Sequence, residues 1–330
     1  MSDTAVLPIS ILAAAIPTMF YVLLIYVVDR YEKEPLWLLG ATFLWGAVPS
    51  ILVAYVFNTL LGLPVYALAG GGLAGETAVA TIVAPVVEET IKGVVLLGIF
   101  IFWRHEIDSP LDGIIYGAMV GFGFAMVENV YYFLNEYNVG GLEAWSLNVF
   151  LRSIIFGLNH ALFTSMTGLG IAVARLSPNT AFKIIAPFLG WSAAVFLHFM
   201  HNLTVSLGSV LICFTFIFDW GGVWLILLII LWALIQERSW IKQYLAEEIQ
   251  VGTMTPRQYE VAYSGHRRML FSLEMLFTRG FKTNRHSARF FHRCSELAYK
   301  KHHYTLFRDE KSARSILRLR HEIHQLSQKL

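Results

Sequence analysis

The sequence contains few charged residues. Aspartate, glutamate, lysine and arginine make up only 15% of its 330 residues, whereas 56% are hydrophobic. Soluble globular domains carry about 25% charged residues. This shortage excludes an ordinary soluble domain and predicts a protein that crosses the membrane several times.

Cysteine is scarce as well. The two cysteines, Cys213 and Cys294, lie in an apolar stretch and in a polar tail, which excludes a disulfide framework. The apolar stretches hold no serine or cysteine that is obviously paired with a histidine. Catalysis by a serine or cysteine nucleophile is therefore disfavoured. The sequence also has no H-E-x-x-H motif.

Long apolar runs dominate the first two thirds of the chain. A membrane crossing takes about 20 mostly apolar residues, and seven stretches qualify: 6–28, 36–57, 77–103, 111–134, 152–174, 184–206 and 210–235. After Gln236 the chain becomes polar and basic. We therefore predict the all-α class, with a transmembrane helix bundle of about seven spans over 1–236 and a helical cytoplasmic tail over 237–330.

Lysine and arginine are absent from the loops after spans two and six but present after spans one, three and five, as Arg30, Lys33, Arg104, Arg175 and Lys183. Basic residues in short loops mark the cytoplasmic side. We expect a multi-pass protein of the cell (inner) membrane, with its N-terminus outside and its tail in the cytoplasm.

Ionisable residues interrupt four of the apolar runs, where they are costly and usually face the bundle interior. Span three contains Glu88, Glu89 and Lys92 in "VAPVVEETIKGVVLLGIF". A neutralising Glu88–Lys92 pair across one helical turn is the simplest interpretation. It leaves Glu89 unexplained, because adjacent helical residues point about 100° apart.

Polar side chains also occur in spans four, five and six. A stripe of small residues, which lets another helix approach closely, leads to a carboxylate in span four. The residues are Gly113, Gly117, Gly121 and Ala125, then Glu128 and Asn129; His160 in span five; and His198, His201 and Asn202 in span six. Each group alone also fits a structural hydrogen bond. At a rise of about 1.5 Å per residue, however, Glu88, Glu128, His160 and His198 all lie roughly 9 to 16 Å from the outer membrane face. A common level predicts one buried site.

This set of side chains suits the activation of water. A buried glutamate tuned by a lysine can act as a general base, and histidines with an asparagine can donate hydrogen bonds to an oxyanion. We favour a mechanism without a cofactor. The alternative is a zinc ion held by members of the set Glu89, Glu128, His160 and His198.

Together these motifs resemble the PrsW family of intramembrane proteases, which is related to the type II CAAX prenyl proteases. The EExxK motif corresponds to Glu88–Lys92, and the FxxxE motif to Phe124–Glu128 followed by Asn129. The third motif's histidine matches His160, and HxxxN matches His198–Asn202. In the CAAX relatives a histidine usually stands at the Glu128 position. The resemblance covers roughly residues 10–235 and leaves out the tail.

The resemblance implies a site-1-type endopeptidase that cuts membrane-anchored proteins, in the best-known case an anti-sigma factor. Glu88 or Glu89 would activate water; His160, His198 and Asn202 would stabilise the intermediate; Glu128 would assist. We expect Lys92, Asn129 and His201 to support them. A proton-coupled transporter, whose relays also use glutamate and histidine, and a non-catalytic scaffold are the alternatives.

The tail carries its own pattern. In "SILRLRHEIHQLSQKL" an apolar seam recurs at alternating spacings of three and four residues, as in a short coiled coil. Its members are Ile316, Leu319, Ile323, Leu326 and Leu330. We expect it to pair with another tail helix or with a second subunit. The basic segment before it is predicted to contact anionic lipid, and no nucleic-acid partner is expected.

Overall fold

The computed structural model describes residues 3–208 and 211–330, which form helices and no strand. The described helices divide into two units, Met1–Val28 with Glu34–Ile230, and Asp29–Lys33 with Leu231–Leu330. The all-α class is thereby confirmed. Because a helix satisfies its backbone hydrogen bonds internally, it is the fold that so apolar a chain can use to cross lipid.

The first unit contains eight helices and the start of a ninth: α1 (Asp3–Val28), α2 (Leu36–Trp45), α3 (Ile51–Leu68), α4 (Gly72–Ala78), α5 (Ala84–Phe102), α6 (Pro110–Val149), α7 (Asn159–Leu176), α8 (Thr180–Leu207) and α9 (Ile212–Gln250). Short π-helical turns join three of the pairs: Gly46–Ser50, Val79–Val83 and Phe150–Ile155. Within α6 the chain bends at Gly141, whose φ of 66° favours glycine.

Among the described residues, five helical stretches are long and apolar enough to span a membrane: Ala5–Val28, Leu36–Leu68, Pro110–Leu176, Thr180–Leu207 and Cys213–Gln250. The predicted number of seven is not confirmed. The predicted spans 111–134 and 152–174 fall within a single stretch, and α5 contains three charged residues and does not qualify. The predicted seventh span starts at residue 210, which lies outside the described residues.

Glycines bring α6 and α7 into backbone contact. A Cβ atom at Gly113 would overlap the backbone of Gly168, and one at Gly121 would overlap the backbone of His160. On the other side of α7, a Cβ atom at Gly170 would overlap the carbonyl group of Ala186 on α8. The predicted small-residue stripe therefore packs against the helix that carries His160.

The second unit comprises residues 29–33, the end of α9, α10 (Pro256–Ala262), α11 (Gly265–Phe307) and α12 (Glu310–Ser327). Its apolar core includes Ile241, Leu245, Phe290, Cys294, Leu297, Leu319 and Ile323. Three members of the predicted seam are buried in this core, and Leu326 and Leu330 pack against it. The seam is thus covered within the chain, so oligomerisation through it is not supported. Contact of the tail with anionic lipid is not supported either.

Candidate active site

The site begins with two adjacent glutamates on α5. Both are buried, Glu88 to 6% and Glu89 to 0% exposure. Because successive helical residues diverge by about 100°, the two carboxylates have different surroundings. Glu89 contacts α7 and α8, whereas Glu88 contacts α3.

Glu89 has hydrogen bonds on both carboxylate oxygens. Its Oε1 lies 2.8 Å from Lys92 Nζ and 3.0 Å from His198 Nδ1, and its Oε2 accepts a 3.0 Å bond from the Thr164 hydroxyl. A buried carboxylate is tolerated when it is paired and bonded in this way. Glu89 therefore holds Lys92 and His198 in place.

Glu88 has a free oxygen. Its Oε1 accepts a 3.3 Å bond from the Asn58 amide, but its buried Oε2 has no hydrogen-bond partner in the part of the chain that the structure describes. This oxygen lies 3.7 Å from Lys92 Nζ and 3.9 Å from His198 Nε2. Polar groups separated by more than 3.5 Å are commonly bridged by a water, so a small ligand between Glu88 and His198 would have partners on both sides.

The carboxylate of Glu128 is connected to Glu89 through His160 and Lys92. His160 Nε2 lies 3.0 Å from Glu128 Oε2 on α6, and its Nδ1 lies 3.1 Å from Lys92 Nζ. Arg152 binds Glu128 and donates a 2.8 Å bond to Asn129 Oδ1. A continuous polar chain therefore runs from Arg152 through Glu128, His160 and Lys92 to Glu89.

The two histidines are held by an aromatic neighbour. The ring of Phe163 on α7 stacks on His198 with a centroid distance of 5.0 Å and an angle of 19°. The His160 and His198 rings lie 5.2 Å apart and nearly perpendicular. Packing against Phe163 restricts the rotation of His198 and directs its Nε2 toward Glu88.

Asn202 and His201 have partners outside this cluster. The Asn202 amide donates a 2.8 Å bond to the carbonyl oxygen of Ala80, in the π-helical turn before α5. His201 Nδ1 lies 2.7 Å from Asp219 Oδ2, and the Asn159 amide donates to the same oxygen at 2.8 Å. The structure therefore brings together Glu88, Glu89, Lys92, Glu128, Asn129, His160 and His198, but not Asn202 and His201.

Three residues of the cluster were missed at the sequence level. Asn58 interrupts the apolar run of α3, Thr164 shares a helical face with His160, and Arg152 begins the predicted fifth span. A polar or charged residue within an apolar run is the signal that would have marked Asn58 and Arg152.

One group of side chains within 3–208 and 211–330 could hold a metal ion. Ligand atoms of Glu88, His160 and His198 lie within 4.8 Å of one another, and two histidines with a carboxylate are an ordinary zinc set. The unpartnered oxygen of Glu88 fits such an ion. His160 would exchange one of its two hydrogen bonds for the metal. This set contains Glu88 in place of the predicted Glu89, whose two oxygens bind other side chains, and Glu128, whose Oε2 contacts Arg152 and His160.

Known proteins resemble the chain over the same helices. The model of a family described as "PrsW family intramembrane metalloprotease" matches residues 34–235. Proteins named "Protease PrsW" are 32% identical in Geobacillus kaustophilus over 155 residues, 32% in Clostridioides difficile over 168, and 29% in Bacillus subtilis over 159. These matches cover 46%, 51% and 47% of this chain, and 60%, 67% and 64% of the three relatives.

The chain thus spans about two thirds or less of the length of these relatives, and no solved structure matches it. The family's description names a metalloprotease, whereas the sequence favoured a mechanism without a cofactor. The match covers more than half of the chain and includes every helix that contributes to the buried cluster. With its apolar helices, the protein is a multi-pass membrane protein that belongs to the PrsW family.

Proposed function

We propose that this protein is an intramembrane endopeptidase that hydrolyses a peptide bond of a membrane-anchored protein. The observation that carries this proposal is the free, buried Oε2 of Glu88, which lies 3.9 Å from His198 Nε2. A water held between these atoms would meet a carboxylate that can take its proton and an imidazole that orients it.

The neighbouring side chains take complementary roles in this proposal. Glu89 fixes His198 through its 3.0 Å contact with Nδ1. Lys92 lies where it can donate a hydrogen bond to the oxyanion that forms as water attacks the carbonyl carbon, and His160, which accepts a 3.1 Å bond from Lys92 Nζ at its Nδ1, holds the ammonium there. Glu128, backed by Arg152, orients His160. Asn202 and Asn129 position α5 and Arg152, respectively.

A metal-dependent form of the same reaction is the second candidate. The grouping of Glu88, His160 and His198 and the description of the family favour it. A zinc ion at these ligands would lower the pKa of a bound water and polarise the substrate carbonyl. Neither the described residues nor the comparisons lend specific support to a transporter or a scaffold.

The proposed substrate class and membrane orientation are those expected from the sequence. Single-pass membrane proteins are the proposed substrate class, with an anti-sigma factor as the case that the family resemblance implies. The proposed topology places the N-terminus outside, the tail in the cytoplasm and the cleavage site in the outer half of the membrane.

The test uses the purified full chain in proteoliposomes with a single-pass substrate. We expect Glu88→Gln to lower the cleavage rate at least about 100-fold, since a positioned general base contributes about 10²- to 10⁴-fold. His198→Ala removes the imidazole that faces Glu88, and Glu89→Gln removes the carboxylate that holds His198. Both variants should therefore lower the cleavage rate similarly. Glu76→Gln, at an exposed glutamate of α4, is the matched control.

A chelator and a metal analysis distinguish the two forms. If cleavage is lost with 1,10-phenanthroline and metal content falls in Glu88→Gln and His198→Ala, the metal-dependent form holds. If cleavage persists with chelator and the variants are inactive, the metal-free form holds. Full activity in Glu88→Gln and His198→Ala would refute the peptidase proposal at this site.

A further inference from the structure

An apolar groove lies between α8 and the helical segment that leads into α5. It has a volume of about 320 Å³. Ile82 and Val86 form one wall, and Val195, Phe196 and Phe199 form the other. Ile82, Val86 and Phe196 are between 41% and 54% exposed. We call this feature the α5/α8 groove.

Two other helix contacts near the site are closed by backbone contact. Between α6 and α7, a Cβ atom at Gly117 would overlap the backbone of Thr164 and Ser165. Between α7 and α8, a Cβ atom at Gly190 would overlap the carbonyl oxygen of Met166. At these contacts the backbones touch, whereas α5 and α8 are separated by side chains that line a cavity.

Two side-chain hydrogen bonds bridge the helices along the groove, one from Trp191, which lines it, and one from Asn202, which lies beyond Phe199 on α8. The Asn202 amide binds the carbonyl oxygen of Ala80 at 2.8 Å, and Trp191 Nε1 donates a 3.1 Å bond to the Thr90 hydroxyl. Eleven residues separate Trp191 from Asn202, or roughly 16 Å of helix. Val195, Phe196 and Phe199 lie between these bridges.

The groove lies at the level of the reactive groups. On α8, Val195 and Phe199 flank His198, and on α5, Val86 comes one turn before Glu89. The helices that form its walls are therefore the two helices that hold the water-activating pair. A polypeptide in the groove would need to pass only between these two helices to bring a backbone carbonyl to Glu88 and His198.

We propose that the α5/α8 groove binds the transmembrane segment of the substrate beside the bond to be cut. This inference rests on the proposed peptidase function. The apolar walls and their exposure on a membrane-crossing helix fit an apolar segment within the bilayer. The position of the groove beside His198 and Glu89 favours a substrate over an acyl chain, since only the substrate must reach Glu88.

Photo-crosslinking tests the occupant without requiring turnover. p-Benzoylphenylalanine replaces Phe196 in the Glu88→Gln full chain, in proteoliposomes with a single-pass substrate. Phe188, also on α8 and 62% exposed, is the matched control position outside the groove. We expect at least about fivefold more substrate crosslink from position 196 than from position 188. Equal yields, or lipid adducts alone at position 196, would overturn the proposal.

A filled groove tests its role in cleavage. Val195→Trp should raise the KM for the membrane-anchored substrate about tenfold, while Leu189→Trp, at an exposed position of the same helix, should behave as wild type. Thermal unfolding of both variants shows whether they are folded. If Val195→Trp does not fold, the crosslink from position 196 decides the proposal instead. If wild-type protein cleaves no single-pass substrate, the peptidase function fails; if it cleaves and position 196 behaves as position 188, only the groove assignment fails.

Discussion

At the scale of single residues, the site depends on the different surroundings of two adjacent glutamates. Both oxygens of Glu89 bind side chains from its own helix and from α7 and α8, whereas Glu88 keeps Oε2 free. A fully bonded carboxylate is a poor acceptor for a further proton, and an unbonded one is available. This difference leads us to assign positioning to Glu89 and proton transfer to Glu88.

Thr164 provides a specific test of the Glu89 assignment. Its hydroxyl donates the 3.0 Å bond to Glu89 Oε2, so Thr164→Val leaves that oxygen buried and unsatisfied. We expect a loss of about 1–3 kcal/mol in the free energy of unfolding. Cleavage should fall about tenfold or more, because Glu89 then holds His198 less firmly. Thermal unfolding and cleavage rates measure both effects.

Thr164→Ser is the matched control, because it keeps the hydroxyl and removes only a methyl group. It should retain most of the wild-type cleavage rate and stability. Equal activity in the valine and serine variants would show that the hydrogen bond from position 164 does not support the site.

Part of this arrangement could be predicted from single residues. Ionisable residues in apolar runs are costly, and this cost together with the similar depth of the four groups predicted one shared site for Glu88, Glu128, His160 and His198. The Glu88–Lys92 spacing suggested the ion pair, but Lys92 lies closer to Glu89, at 2.8 Å against 3.7 Å. Side-chain rotamers and the third partner, His160, decide that choice, and neither is visible in residue spacing.

At the scale of helices, the glycine face of α6 sets the distance between the carboxylate and the imidazole. Gly121 touches the backbone of His160 itself, and Glu128 lies two turns further along α6. The sequence indicated a close neighbour for this stripe but not which helix it would be. The π-helical turn at Val79–Val83, which presents Ala80 to Asn202, has no signal in the hydrophobic pattern.

Substitution of Gly121 tests the role of this contact. Gly121→Ala should lower the free energy of unfolding by about 1–3 kcal/mol, because its Cβ atom would overlap the His160 backbone and force the helices apart. It should also lower cleavage, since His160 moves with α7. Gly98→Ala on α5 is the control: its Cβ atom has no neighbour within 4 Å, and alanine favours a helix interior by about 0.5–1 kcal/mol. If Gly121→Ala and Gly98→Ala had the same free energy of unfolding and the same cleavage rate, close packing at Gly121 would be contradicted.

At the scale of the whole molecule, the chain contains two units with separate apolar cores. The family match ends at residue 235, so the second unit lies almost entirely beyond it. The sequence showed the change in composition there and the apolar seam of α12. It did not show that α11 would cover the seam, because a two-heptad repeat fits an internal and an external partner equally well.

The second unit is held by a buried ion cluster as well as by its core. Lys301 donates hydrogen bonds to Glu247 at 2.6 Å and to the carbonyl oxygen of Tyr244 at 2.7 Å, and it also binds the fully buried Glu248. Arg320 on α12 approaches the same carboxylate at 2.9 Å. Breaking a buried ion pair costs up to about 3–5 kcal/mol, and loss of Lys301 would leave Arg320 as the remaining cation at Glu248.

Lys301→Met should therefore open the second unit, and Cys294 provides a probe for the opening. Burial raises the pKa of the Cys294 thiol to about 12, so at pH 8 the folded protein holds it protonated and unreactive. When the unit opens, the pKa returns toward its ordinary value of about 9, and the reactive thiolate fraction rises.

Maleimide labelling in a Cys213→Ala background should thus be slow in wild type and at least about tenfold faster in Lys301→Met. Lys311→Met, at an exposed position of α12, should label as slowly as wild type; equally slow labelling in Lys301→Met would show that the ion cluster does not hold the unit closed.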